Sequence, residues 1–368
     1  MKKRILFLGS LCQGGAEHQM VELATLLNER GYDVSYLAGP SSGFYEERLL
    51  SGGVELLRFK ECNFLKLLKL HPFYVTLQVR NVLKKGHYDT IISFLGFWNY
   101  LNSRFAGSLI SNHRAITGIR NNRDEVFLSM KDRYYTYFEK KTYLKVSNSA
   151  SAKERFAAYY PQMSSKLITI YNLVNLPPVT INYVLRKDGK THLIIPASYR
   201  YVKNPIGFLK GVSLVDEESR ALLYVDWYGS IQGGKDCYEA MNSYINENDL
   251  SDIIKLHDST KNIADRMYEA DVVGLFSYSE GMPNSICEGM MLGKPIIMTK
   301  VSDYELLAGR GNGFLCDADN PQDIARALTE MVKSKDECLL SMGQISKTIA
   351  QCHFSKEVVL DQWEKIIQ

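Results

Sequence analysis

The sequence predicts an α/β protein made of two parallel-sheet domains in tandem, and three observations carry that prediction. The chain opens as strand, glycine-rich loop, helix and strand. Residues 173–190, with Pro177, Pro178 and a polar tail, interrupt this rhythm, which restarts at His192. At 368 residues the chain is too long for one ordinary core and fits two domains of about 150–200 residues each.

Taken in order, Arg4–Leu8 is a short apolar run, read as the first buried strand. With the preceding basic residues it looks like the start of a signal peptide, but the run is too short and leads straight into loop and helix signals. Gly9–Glu17 follows as a loop. Met20, Leu23, Ala24 and Leu27 then recur at helical spacing up to Gly31, a candidate helix cap, and Val34–Leu37 resumes as strand. The dinucleotide fingerprint G-x-G-x-x-G is missing from this unit, which removes a dehydrogenase reading. Gly14 and Gly15 either bring backbone amides to a phosphate or only make a tight turn. Further strands are expected at 54–57, 90–94, 115–119, 144–147 and 167–171. Between them, residues 64–85 place Lys66, Lys69, Arg80, Lys84 and Lys85 beside leucines and aromatics. That mix suits either an interfacial helix or a surface helix with a solvated basic face.

In the second half, strands are expected at 192–195, 222–225, 253–256, 272–276 and 295–298. Helices are expected from Lys203, at 238–248, 263–270 and 324–332, and in a last amphipathic segment, 358–367. The stretch 277–295 is the richest in chemistry. Glu280 precedes a helix expected to begin near Asn284, and Glu288 lies about one turn inside it. Free amides at that helix start favour an anion, and two flanking acids suit hydroxyls. A nucleotide sugar carries both.

Composition limits the alternatives. Seven cysteines, odd in number and without C-x-x-C spacing, argue against a disulfide framework and a structural zinc site and favour a reducing, cytoplasmic compartment. No apolar run approaches the ~20 residues of a membrane span. Residues 1–176 hold 24 Lys+Arg against 14 Asp+Glu, a balance of +10, while the rest carries −7. The basic half prefers an anionic partner. No basic stripe with interleaved aromatics points to nucleic acid, so an anionic membrane face or a lipid-diphosphate acceptor is the more economical expectation.

The chain resembles the glycosyltransferases of family 4, with the two-domain GT-B fold. The resemblance spans nearly the whole length. It rests on Gly14–His18, Ser147–Ser149, Ile170–Asn172, Pro196–Pro205, Tyr268–Asp271, Gly313–Leu315 and the spacing E-x7-E from Glu280 to Glu288. It implies two Rossmann-like domains around a cleft, residues 1–177 and 178–354, with helix 355–368 returning to the first. It implies a retaining transferase that needs no metal and no cofactor and uses a nucleotide-sugar donor, UDP-linked. The acceptor would be a glycan or lipid-diphosphate-linked glycan, as in capsule or lipopolysaccharide assembly at the inner membrane face.

By the same resemblance, Gly14 and Gly15 would give amides to the diphosphate and Lys203 would neutralise it. Glu288 would hold the ribose, and Glu280, with Gly281, Met282, Pro283, Asn284 and Ser285, the donor sugar and distal phosphate. The sequence departs from the family pattern twice. Ser198 stands where the family has an arginine five residues before the lysine, leaving Arg200 either to supply the guanidinium or to be a surface residue. Arg120 replaces a frequent histidine, as a sugar or phosphate contact or as a structural ion-pair member. His113 reads as a satisfied loop residue, and His18 is open between acceptor side and helix surface. Two rivals use the same donor grip: a nucleotide-sugar epimerase of this fold, and a non-catalytic homologue.

Overall fold

A computed structural model describes residues 3–60, 71–120, 130–178 and 183–368. The chain forms two compact units, Met1–Leu173 with Lys356–Gln368, and Val174–Ser355.

The first unit is built on β1 (Arg4–Leu8), β2 (Asp33–Ala38), β3 (Glu55–Arg58), β4 (Thr90–Ser93), β5 (Arg114–Ile119), β6 (Leu144–Ser147) and β7 (Leu167–Thr169). They form a parallel sheet in the order β3-β2-β1-β4-β5-β6-β7. β1 is buried on both faces, from Ile5 to Leu8, as expected of a strand with helices on either side. The helix Gly15–Glu29 buries Met20, Leu23, Ala24 and Leu27, and Gly31 leaves it at φ 92°, a left-handed position open to glycine. The helix Lys356–Ile367 joins the same core through Val359, Leu360, Trp363 and Ile367. Its outer side is tied by Arg30 to Asp361 and Glu364.

The basic segment splits. Lys66 and Lys69 lie outside the described residues. Val75, Val79 and Leu83 of the helix His71–Gly86 enter the core, while Phe73 and Leu77 face outward and Lys84 and Lys85 are exposed. Among the described residues no helix is long and apolar enough to cross a membrane.

The second unit holds β8 (Thr191–Pro196), β9 (Leu223–Tyr228), β10 (Ile254–His257), β11 (Val272–Leu275), β12 (Ile296–Thr299) and β13 (Gly313–Cys316). They are parallel and ordered β10-β9-β8-β11-β12-β13. Several elements exceed the sequence reading, among them one strand and one long helix. Gly313–Cys316, which is not among the expected strands, is the edge strand β13, paired with β12. The 19-residue helix Asp336–Phe354 has no counterpart among the expected helices. Its buried stripe runs Leu339, Gly343, Ser346, Ala350 and Phe354, and three small residues give little apolar periodicity. The small residues permit close approach: a Cβ on Gly343 would lie 2.2 Å from the Gly293 carbonyl oxygen. This long helix backs the helix Asn284–Met291, whose Gly289 lies close to Val273 of β11.

Candidate active site

In the second unit the chemistry gathers beyond the carboxyl ends of β8 and β11, where ligands of open α/β sheets bind. β11 gives way to Phe276 and the fully buried Ser277, whose carbonyl accepts from Thr299 Oγ1 at 2.7 Å. A loop then leads into the helix Asn284–Met291. Ser302, itself at φ 58°, holds the loop by donating to the Gly281 carbonyl. Its N-cap residue is Pro283, whose side chain offers no cap, and the helix's own ladder begins with the Cys287 amide donating to Pro283. The first-turn amides of Ser285 and Ile286 lie at the end of the helix, where the aligned dipoles favour an anion.

Lys203 reaches this loop from the other side. It ends a 3-10 turn, Tyr201–Lys203, fixed by Asn204 in a left-handed conformation at φ 55°. The Asn204 side chain caps the next helix at Gly207 and donates to the Ala318 carbonyl. The Tyr278 amide donates to Val202 at 2.9 Å, so the two loops are tied by backbone as well. Lys203 Nζ lies 2.5 Å from Glu280 Oε1, and Ser277 Oγ donates to the same oxygen at 2.6 Å. Both members of the pair are mostly shielded from solvent. The second Glu280 oxygen is not used by either bond.

Glu288 behaves differently. It is half-buried, its side chain makes no ion pair or hydrogen bond among the described residues, and burial pushes its carboxyl up from 4.5 to about 7. A desolvated carboxylate without a partner is a costly arrangement, and hydroxyl donors would relieve it. The two acids thus divide: one is a cation-bound anchor, the other an open acceptor.

The remaining predicted residues of this unit do not converge on the pair. Arg200 is exposed and has no ion-pair partner among the described residues; its carbonyl accepts from the Lys203 amide. Its guanidinium stands beside Gly233, in the loop after β9. Ser198 is half-buried, and its carbonyl accepts from the Arg200 amide. Sequence reasoning missed Gly229 and Gly234 in this region. A Cβ on Gly229 would meet the Ala197 carbonyl oxygen at 2.2 Å, and one on Gly234 would meet that of Tyr199 at 1.6 Å. The loops after β8 and β9 touch backbone to backbone, and the repeated glycines were the available signal.

In the first unit, Gly14 is the extended residue before the helix Gly15–Glu29, at φ −168°, and no side chain caps that helix. Glu17 curls back over Gly14 and accepts from Ser10 Oγ at 2.8 Å, so a carboxylate already lies beside the turn. Arg120, just past β5, is more distinctive. Its guanidinium lies 3.5 Å over the Phe94 ring, Nη1 donates to Asn172 at 3.2 Å, and the buried Nε has no partner. Burial pushes it down to about 9. Among the described residues no carboxylate pairs with it. His113 is buried between Ser111 and Asn102 and pushed down to about 4, a satisfied core histidine. His18 stacks on Tyr45, with ring centroids 5.6 Å apart. Among the described residues no three His, Cys, Asp or Glu side chains are placed to hold a metal ion.

Residues 13–177 match the family described as Glycosyltransferase Family 4, and residues 190–334 match Glycosyl transferases group 1. An uncharacterized glycosyltransferase of Haemophilus influenzae is 22% identical over 393 residues, covering 100% of both chains. Among solved structures, Anabaena HepE in complex with UDP and glucose superposes with a TM-score of 0.81 at 17% identity, covering 99% of each chain. The lipopolysaccharide outer core galactosyltransferase WaaB, in its apo form, superposes at 0.74 and 14% identity, again covering 99% of each.

Proposed function

This chain belongs to the glycosyltransferases, with two Rossmann-like domains of the GT-B fold, and from that premise we propose that it transfers a sugar from a UDP-linked donor with retention of anomeric configuration and without a metal. The observation that carries this is the Lys203–Glu280 pair, 2.5 Å apart, set before the uncapped helix Asn284–Met291. Breaking a glycosyl–phosphate bond leaves negative charge on the diphosphate and positive charge at the anomeric carbon. The Lys203 ammonium and the backbone N–H groups of Gly281 and Ser285 serve the first of these without a metal ion. Glu280, held by Lys203 and Ser277, orients the donor sugar through its second oxygen. Glu288 takes the ribose hydroxyls, which give its unpaired carboxylate the partners it lacks. HepE, with which this chain shares its fold, is seen with UDP-glucose, and that supports the choice of base.

The acceptor in this proposal is a glycan, carried on a lipid diphosphate and extended at the inner face of a membrane during cell-surface polysaccharide assembly. Its support is the +10 balance of residues 1–176, the outward Phe73 and Leu77 on a helix that ends in exposed lysines, and Arg120, which has no carboxylate partner among the described residues and suits an acceptor phosphate or the sugar itself. Arg200 and the amides of Gly14 and Gly15 are assigned to the donor diphosphate in the same proposal.

The test uses UDP-glucose and related nucleotide sugars as thermal-shift ligands, followed by donor hydrolysis. Wild-type protein is stabilised by one or more of them. Lys203→Ala and Glu280→Ala each lower turnover by at least about 100-fold, the scale of losing one preorganised stabilising group, with the fold intact. Wild-type rates in either variant would refute the site.

A further inference from the structure

One face of the second unit's sheet is left open at its β9–β10 end. Along β9 the residues alternate: Leu223, Val225 and Trp227 are buried, while Tyr224, Asp226 and Tyr228 are half-buried. A parallel sheet is ordinarily covered on both faces. Here the crossover from β10 to β11 carries only the seven-residue helix Ile263–Glu269, which packs on β8. The register sets side chains of three strands side by side on the open face, with His192 next to Tyr224 and Tyr228 next to His257. A cavity of about 390 Å³ lies over His192, Tyr224 and Tyr228, walled by Arg266 of the short helix and by Asp188. That is within the range of small-molecule sites, roughly 300–1,000 Å³.

The cavity has rings and hydroxyl partners but no surplus positive charge. The His192 and Tyr224 rings are 4.9 Å apart, and Tyr228 stacks on His257 at 4.4 Å and 14°. Asp188 is bonded to His192 at 2.9 Å, Asp226 to His257 at 2.6 Å and Arg266 to Glu269 at 2.9 Å. Each pair fixes its members and leaves further lone pairs or N–H groups. The hydroxyls of Tyr224 and Tyr228 make no hydrogen bond among the described residues. Two cations, Lys187 and Arg266, face three carboxylates, so the net negative lining disfavours a phosphate or nucleotide.

We propose that this cavity is a second carbohydrate-binding site, which takes an uncharged pyranose ring of a glycan on Tyr224 and Tyr228 and bonds its hydroxyls through Asp226, Asp188 and Arg266. The C–H face of a pyranose is apolar and packs on aromatic rings, while its rim of hydroxyls needs fixed donors and acceptors. The site lies on the face of the sheet, away from the Lys203–Glu280 pair beyond the strand ends, and does not depend on the donor assignment. It gives the second unit a hold on glycan apart from the sugar being transferred.

Saturation-transfer NMR on the full chain tests this, with glucose, galactose, N-acetylglucosamine, maltose and lactose as probes and excess UDP present to fill the donor site. At least one probe receives saturation with UDP bound. Its affinity falls about tenfold in Tyr224→Ala/Tyr228→Ala, as expected for the loss of stacking contacts. Tyr224→Phe/Tyr228→Phe keeps the rings and retains most of the binding. Circular dichroism spectra and unfolding temperatures that match wild type show both variants folded. The proposal is overturned if no probe receives saturation, if the alanine variant binds as wild type, or if inorganic phosphate displaces the sugar. Failure of UDP to stabilise wild type would count against the donor site and leave the sugar result readable.

Discussion

Glu288 carries the sharpest test, because its environment sets stability and binding against each other. Its carboxyl is raised from 4.5 to about 7, so the folded protein keeps a proton that the unfolded chain has lost. Between these values the native state binds more protons, and stability falls as pH rises from 4.5 towards 7. The loss has an upper limit of about 3 kcal/mol. Glu288→Gln removes the penalty. This variant should match wild type near pH 5 and exceed it by about 1–3 kcal/mol at pH 8, read by urea denaturation at the two values. Ligand binding runs the other way. Ribose hydroxyls need the ionised form, so UDP-glucose affinity in wild type is level above pH 7 and weakens about tenfold per unit below it. The glutamine variant binds weakly at every pH and shows no such slope. The reasoning fails if the two proteins share one pH profile of binding, or if glutamine destabilises at pH 8.

Three further outcomes follow from other parts of the molecule. Arg120→Met, which replaces a buried cation with no carboxylate partner among the described residues, should leave thermal stability unchanged or raised while transfer to acceptor falls at least about tenfold; a clear loss of stability would mark Arg120 as structural. Gly234→Ala forces a Cβ against the Tyr199 carbonyl and should cost at least about 2 kcal/mol in the unfolding of the second unit, whereas Gly189→Ala, with open space around it, serves as the contrast for overlap rather than backbone strain. Liposomes containing anionic lipid should bind the protein at low salt and release it as salt rises, in a sedimentation assay; binding that ignores salt, or none, would remove the membrane from the proposal.

Much of the fold was readable in the residues because local and global signals agreed. β1, the glycine turn and the helix Gly15–Glu29 follow from a short apolar run and from the spacing of Met20, Leu23, Ala24 and Leu27. The helix after Glu280 starts where its loop and proline indicate. What escaped depended on atoms distant in the chain. The helix Asp336–Phe354 hides its buried side behind Gly343, Ser346 and Ala350, whose value is closeness to Gly293 and not hydrophobicity. β13 is four residues long and is a strand because β12 lies beside it. The contrast between Glu280 and Glu288 is likewise tertiary: Lys203 neutralises one, and desolvation alone acts on the other.

The helix Lys356–Ile367 ties the folding of the first unit to residues that are translated only after the whole second unit. It supplies Val359, Leu360, Trp363 and Ile367 to a core whose other members are encoded before residue 174. Side chains of this kind contribute about 1.5–3 kcal/mol each when buried, so the first unit cannot reach its final stability until they arrive. On the ribosome the N-terminal segment must therefore wait, with Phe94 and its neighbours uncovered, while the whole second unit is translated. A polypeptide truncated at the linker would stay in that waiting state permanently. Supplying residues 356–368 in trans, or fusing them after residue 173 through a flexible tether, is the rational way to obtain the first unit alone.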